Sequence, residues 1–153
     1  SGSLPFLTEE YEQLPQPLVG SELAAEDRRY YEAIREVMNR LAERGNVVIV
    51  GRGSSHILRG NRHVLRVGVV AHLEDRIERV MNRNRITREE AQKLIDARDK
   101  ARAYYFKRLF DAPRSMAPEL FHIMINSSEM SFDYATELVV AASQAIEARQ
   151  FIR

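Results

Sequence analysis

Scarce residue types already narrow what this chain of 153 residues can be. It has no cysteine and no tryptophan, and only 7 glycines and 5 prolines. The lack of cysteine excludes a disulfide scaffold, thiol chemistry and any Cys-ligated metal site, and the low glycine and proline content excludes collagen-like and low-complexity chains. No apolar run approaches the roughly 20 residues that span a bilayer, and no signal peptide opens the chain. We therefore expect a cytoplasmic globular protein with no membrane partner.

Histidine and lysine are scarce as well. The four histidines lack the spacing of metal ligands and no HExxH motif occurs, so we predict no metal site. Arginine outnumbers lysine 20 to 3, and its planar guanidinium matches phosphate and carboxylate groups. A GC-rich genome also favours arginine over lysine, and this remains an alternative explanation for the total number of arginines. It does not explain why the arginines cluster.

The net charge of +1 is the sum of three unlike segments. Residues 1–51 carry −4, residues 52–114 carry +8 and residues 115–153 carry −3. The local potential, not the net charge, draws anionic ligands to a surface. The central segment is therefore the predicted binding region for a nucleotide or another phosphorylated small molecule.

Hydrophobic periodicity predicts an α/β order of elements with a largely parallel sheet. Residues 1–20 hold three prolines and begin Ser-Gly-Ser without Met, as a tag remnant or a fragment edge does, so we interpret them as an irregular arm and residues 21–153 as one α/β domain. Short β-rich runs without clean alternation are typical of strands buried on both faces of a sheet. The expected elements are a helix from Ser21 to about Arg44, strands at 46–50, 64–71 and 121–126, and helices over 72–84, from the Thr87–Glu90 capping box to about Phe110, and from Ser131 onward.

The first candidate site is the Gly-rich turn that follows the first predicted strand. Arg52, Gly53 and Ser54 would present a guanidinium, backbone N–H groups and a hydroxyl at the carboxyl edge of the sheet, where ligands of open α/β sheets bind. The alternative is an ordinary strand-to-helix turn with a solvated arginine.

The second candidate site lies in the long helix that starts at the capping box. Arg98 and Arg102 are one turn apart at positions where the pattern calls for apolar residues, so we expect them to face an anion, a carboxylate or a wet cleft. Asp99 could pair with Arg102 or accept hydrogen bonds from hydroxyls. The alternative is an internal set of ion pairs with Asp96 and Asp99.

The third candidate is a series of arginines that crosses the junction between two helices, at Arg76, Arg79, Arg83, Arg85 and Arg88. Arginine-rich helical hairpins can close over phosphates and exclude water, whereas a solvated charged face is the alternative. Aromatic residues cluster at 104–106 instead of alternating with the arginines, which argues against nucleic acid as a partner.

Four motifs, in this order and at similar spacing, resemble the cytidylate kinase-like family of P-loop nucleoside monophosphate kinases. They are Val47–Gly53, Val67–Val80, the pair Asp99-x-x-Arg102 and Ile125–Ser131. The resemblance covers about residues 23–145 and implies a three-layer α/β fold with a small, mostly parallel sheet.

The resemblance also implies roles for the candidate residues. Arg52 corresponds to the arginine of the family's Gly-Arg-Asp motif on the monophosphate-binding side. Asp99 and Arg102 correspond to residues that contact the sugar and phosphate of the acceptor nucleotide. The arginine-rich segment 76–88 would approach or form the lid over the donor phosphates.

The largest departure from the family is that no G-x-x-x-x-G-K-[ST] motif occurs and no lysine precedes Lys93. In the family that loop cradles the donor phosphates and holds Mg²⁺, so this chain should hold neither ATP nor Mg²⁺ unless a P-loop is supplied elsewhere. The P-loop strand of the family lies between the strands that correspond to 46–50 and 64–71. Without it the sheet must close the gap, borrow a strand or expose edges that favour homo-oligomers. Gly53 in place of the motif's Asp, and Ile95 in place of an Arg, bear on pyrimidine and ribose recognition.

Two hypotheses of different class follow. The first is a nucleoside monophosphate kinase-like transferase lineage that binds a monophosphate but shows no appreciable turnover as this chain. The second is a non-catalytic module that binds a nucleotide or another anion, or that self-associates. The chain is either the C-terminal portion of a kinase or a P-loop-free relative, and both accounts stay open.

Overall fold

The computed structural model describes residues 21–112 and 114–147, so the predicted arm at residues 1–20 lies outside the described residues. Helices predominate, and two short strands are set between them, which confirms an α/β protein with a small sheet. The elements are α1 (Ser21–Arg44), α2 (Ser54–Ile57), β1 (Val67–Val70), α3 (Leu73–Asn84), α4 (Arg88–Phe110), a 3₁₀ turn (Pro118–Leu120), β2 (Ile123–Asn126) and α5 (Phe132–Glu147).

The helix ends follow local sequence signals. At the start of α4 the Thr87 hydroxyl accepts a hydrogen bond from the Glu90 amide, and the Glu90 carboxylate accepts one from the Thr87 amide, which confirms the predicted capping box. Gly45 ends α1 in the left-handed region, with φ at 68°. The Ser131 hydroxyl accepts a hydrogen bond from the Tyr134 amide at 3.2 Å and caps α5 as expected.

The sheet consists of β1 and β2 paired in parallel, from Val67 opposite Ile123 to Val70 opposite Asn126. Both strands were predicted, and both are shorter than predicted. Gly68 allows the close packing on one face, because a Cβ at this position would overlap the sulfur of Met124. The carboxyl ends of the two strands therefore lie side by side.

The third predicted strand, at residues 46–50, is not formed. Within the described residues this segment belongs to no strand and no backbone hydrogen bond joins it to another residue. Val48 is 64% exposed and Val50 50% exposed, so burial on both faces was a wrong expectation. A strand needs a partner edge about 4.8 Å away, and composition says nothing about whether one is present.

Helix α4 packs against other helices at both of its ends. One end packs on α3 through Ile77, Ala91 and Ile95, all at most 3% exposed. The other end carries Tyr105 and Phe110, which join an aromatic cluster with α1 and α2 that includes Tyr31, His56 and Phe106. These two cores hold the charged middle of α4 in a defined position between them. Among the described helices, none is both long and apolar enough to cross a bilayer.

Candidate functional site

The loops that leave the carboxyl ends of β1 and β2 are tied to one another. The Ser127 amide donates to the Val70 carbonyl at 2.8 Å, and the Ser128 hydroxyl accepts from the His72 amide at 2.8 Å. The His72 ring nitrogen Nε2 lies 2.8 Å from a carboxylate oxygen of Glu129. This edge of the sheet is the place from which α3 starts.

Arg79 connects α3 to the loop after β2. Its two terminal nitrogens donate to the hydroxyl and the carbonyl of Ser127, at 2.9 and 2.7 Å. Its guanidinium carbon lies 5.1 Å from the centre of the Phe132 ring, in a cation–π arrangement. The sequence predicted Arg79 as a lid residue over phosphates, and in this structure its donors are engaged with the protein itself.

Asp99 is the centre of a cluster that joins α3 and α4. Arg76 donates from both terminal nitrogens, at 2.8 Å to Oδ2 and at 2.7 Å to Oδ1. Arg102 donates from Nη2 to the same Oδ1. The side chains of Arg76, Arg102 and Asp99 are 32%, 36% and 36% exposed, so a ligand can reach all three.

The charge state of Asp99 is set by this cluster. Burial by itself raises the pKa of Asp99, but the hydrogen bond from Arg76 and the charges of Arg102 and Arg76 outweigh it and bring the pKa below its ordinary value. Asp99 is therefore an ionised hydrogen-bond acceptor at neutral pH. Two arginines against one carboxylate leave the cluster with a net positive charge.

The Gly-rich turn has an unusual backbone. Gly51, Arg52 and Gly53 all have positive φ angles, at 75°, 55° and 74°. The Tyr105 hydroxyl donates to the Arg52 carbonyl at 3.1 Å, and Gly53 is packed against the ring of Phe110. The turn was expected at the carboxyl edge of the sheet. Because residues 46–50 are not part of the described sheet, the turn instead packs on α4.

Helix α4 relates this turn to the Asp99 cluster. Tyr105 follows Arg102 by three residues, so the two side chains share a face of the helix and are offset by roughly 4.5 Å along its axis. Two of the three predicted candidate sites, the turn at Arg52 and the pair Asp99–Arg102, are thus arranged along one helix face. Arg98 is exposed and does not share the inward position that was predicted for it.

The remaining arginines of the predicted lid lie at the α3–α4 junction. Arg88 donates twice to the Glu74 carboxylate, at 2.9 and 2.7 Å. Arg85 ends α3 in the left-handed region, with φ at 56°. Arg83 and Arg85 are both exposed and take part in no ion pair within the described ranges. Three of the five arginines of the predicted series, Arg76, Arg79 and Arg88, are thus engaged with protein groups, and Arg83 and Arg85 remain as the exposed basic surface that was expected.

His56 borders the same region from the aromatic cluster. Its ring packs on Phe106 and Phe110, with centroids 5.1 and 4.7 Å away, and its Nδ1 is buried with no hydrogen-bond partner among the described residues. Burial, and then the charge of Arg59, lowers the pKa of His56. In the part of the chain that the structure describes, no group of three His, Asp or Glu side chains is arranged to hold a metal ion.

Three side-chain contacts of the candidate site were not predicted from the sequence. Arg76 was placed in the lid series, yet it is the main partner of Asp99, 23 residues away. Tyr105 is buried at 7% exposure, and the sequence did not indicate that its hydroxyl donates to the Arg52 carbonyl. Ser127 was not among the predicted site residues, and its hydroxyl accepts a hydrogen bond from Arg79. Each pairing joins segments far apart in sequence, so no local pattern indicates it.

Comparisons with known proteins give a family and a fold. The sequence model described as "Cytidylate kinase-like family" matches residues 7–129. A crystal structure of an uncharacterized protein from Eubacterium ventriosum ATCC 27560 is similar over 88% of this chain and 70% of that chain, with a TM-score of 0.67 and 21% sequence identity. No curated protein matches the chain. At that identity the structural similarity establishes a shared fold and nothing about activity.

Proposed function

The chain belongs to the cytidylate kinase-like family, as its motifs predicted, and from that premise we propose that it binds a nucleoside monophosphate through Asp99, Arg102 and the turn at Arg52. The observation that carries the proposal is the partly buried, net-positive Asp99 cluster between α3 and α4. A nucleoside monophosphate combines a dianionic phosphate with sugar hydroxyls, and the cluster combines guanidinium donors with an ionised acceptor.

The donors and acceptors of the cluster are only partly used. Arg102 contacts Asp99 through Nη2 alone among the described contacts, so Nε and Nη1 remain to bind phosphate oxygens. Asp99 accepts two hydrogen bonds at Oδ1 and one at Oδ2. A carboxylate has about four acceptor positions, so Oδ2 can take one more from a ligand hydroxyl.

The other predicted residues extend the proposal. Gly53 and Ser54 would offer backbone and hydroxyl donors beside Arg52, and the exposed Arg98 adds positive charge one turn before Arg102. Arg83 and Arg85 would approach donor phosphates directly. Arg79 and Arg88 would first have to leave their partners Ser127 and Glu74. The finer architecture, a three-layer kinase-like sheet that lacks its P-loop strand, is part of the same proposal.

The proposal does not include catalysis by this chain. The residues present do not fit Mg²⁺–ATP, because no G-x-x-x-x-G-K-[ST] motif occurs and no lysine precedes Lys93. We derive no phosphoryl-transfer step, and ATP and Mg²⁺ would require a P-loop supplied elsewhere. An assay with ATP, Mg²⁺ and CMP should therefore give no turnover, and turnover by this chain alone would overturn this part of the proposal.

Calorimetric titration with CMP tests the binding. We expect binding that weakens about tenfold in Arg102→Ala, because a charge-assisted hydrogen bond to phosphate is lost. Lys100→Ala is the matched control, because Lys100 is exposed on the same helix and this substitution also removes one positive charge. Cytidine, which lacks the phosphate, should bind equally to all three proteins. No binding and no thermal stabilisation by any nucleoside monophosphate at millimolar concentration would refute the proposal.

A second candidate function, self-association, is favoured by the exposed segment 46–50. Val48 and Val50 are 64% and 50% exposed, and Val69 on β1 is 56% exposed. Unpaired extended segments and short sheets are templates for strand pairing between chains. Light scattering across a hundredfold concentration range should show a homo-oligomer that Val48→Lys disrupts. A strict monomer at the highest concentration would exclude this candidate.

A further inference from the structure

We propose that Arg76 is a positioning residue that occupies Asp99 and thereby leaves Arg102 able to bind phosphate. The inference rests on the proposed function and gives Arg76 a role at the Asp99 cluster in place of the lid role that the resemblance implied. It is carried by the bidentate pairing of Arg76 with Asp99, at 2.8 and 2.7 Å, from a different helix.

The local problem is that Asp99 and Arg102 are three residues apart on one helix. At that spacing a carboxylate and a guanidinium form an ion pair on their own. A carboxylate and a phosphate compete for the same donors of arginine, because each presents two anionic oxygens that can accept the paired N–H groups of a guanidinium. An isolated Asp99–Arg102 pair would therefore be neutral and would resist an incoming phosphate.

Arg76 resolves this competition from α3. It brings a second positive charge and takes both oxygens of Asp99, so Arg102 keeps only one contact with the carboxylate. The cluster changes from neutral to a charge of +1. Its positive end is then Arg102, which carries the unused donors.

The packing under the cluster fixes this geometry. Ile77, the neighbour of Arg76, is buried against Ala91 and Ile95 of α4, and Ile95 lies one turn before Asp99. The two helices cannot shift without disturbing this contact, so the guanidinium of Arg76 is held opposite Asp99. If the Arg76 side chain could adopt other conformations and pair elsewhere, Asp99 would be neutralised only part of the time.

A double-mutant cycle with inorganic phosphate and with CMP tests the inference. The variants are Arg76→Met, Asp99→Asn and the combination of both, with Arg40→Met on α1 as the control for loss of one exposed charge. We expect Arg76→Met to bind phosphate about fivefold more weakly than the parent chain. In the Asp99→Asn background the same substitution should change phosphate affinity less than about twofold, because no carboxylate is left to neutralise.

The outcomes separate the inference from the proposed function. An equal loss in both backgrounds would mean that Arg76 touches phosphate or only supports the fold, and would overturn the inference, as would an unchanged affinity in Arg76→Met. Circular dichroism of the two single variants and of the double variant, which removes both members of the Arg76–Asp99 pair, verifies folding. If the parent chain binds phosphate but not CMP, the proposed function fails while the cycle with phosphate still decides the role of Arg76.

Discussion

Gly53 offers the sharpest test of how the Gly-rich turn is held on α4. Its φ of 74° lies in the left-handed region, and an added Cβ would come closer than 3.0 Å to the ring of Phe110. The backbone conformation costs an L-residue roughly 1–2 kcal/mol, and forcing the ring to move costs roughly 1–3 kcal/mol as overpacking. We expect Gly53→Ala to lower the free energy of unfolding by about 2–5 kcal/mol.

Gly45 provides the matched control for this substitution. It has nearly the same backbone, with φ at 68°, but nothing lies within 4 Å of an added Cβ. Gly45→Ala should therefore cost only about 1 kcal/mol, since it carries the backbone penalty without the clash. Urea unfolding followed by circular dichroism measures both variants. Equal losses would refute the claim that Phe110 occupies the space beside Gly53.

Two further predictions concern pH and helix capping. Because burial lowers the pKa of His56 in the folded protein, the stability that this ring contributes is present above pH 6.5 and is lost as the pH falls below it. The free energy of unfolding should therefore differ less between pH 7.5 and pH 5.5 in His56→Leu than in the parent chain. An equal difference in the two proteins would contradict the role given to His56. Thr87→Ala should destabilise the chain by about 1 kcal/mol through loss of the capping box, whereas Thr136→Ala, inside α5, serves as a control with a smaller expected effect. The capping interpretation fails if the two threonine variants unfold at the same urea concentration.

Local signals were sufficient wherever an element is decided by neighbours in sequence. The start of α4 at Thr87, the end of α1 at Gly45 and the cap of α5 at Ser131 follow from hydrogen bonds and backbone angles within a few residues. Membership of the family could also be predicted, because four motifs that are each weak alone occur in the family's order and at similar spacing. These features can be predicted without knowing the tertiary contacts of the chain.

Sequence reasoning went wrong where the outcome depends on a distant partner. Residues 46–50 have the composition of a buried strand, but no edge within the described sheet pairs with them. Arg98 and Arg102 share one pattern, yet only Arg102 reaches Asp99. The family motif carries Asp where this chain has Gly53, and only the position of Phe110 explains why a larger side chain does not fit.

The sequence by itself thus determined α1, α3, α4 and α5, the caps at Gly45, Thr87 and Ser131, the parallel character of the short sheet and the arginine-rich centre, because periodicity, capping and charge are properties of neighbouring residues. Tertiary structure alone decided that Arg76, and not Arg98, is the second arginine partner of Asp99, that Arg79 binds Ser127, and that residues 46–50 have no strand partner among the described residues. Those outcomes depend on which surfaces the folded chain brings within a few ångströms of one another. Hydrogen bonds and close ion pairs form only over such distances, so the chemistry of the site is defined by packing between α3 and α4.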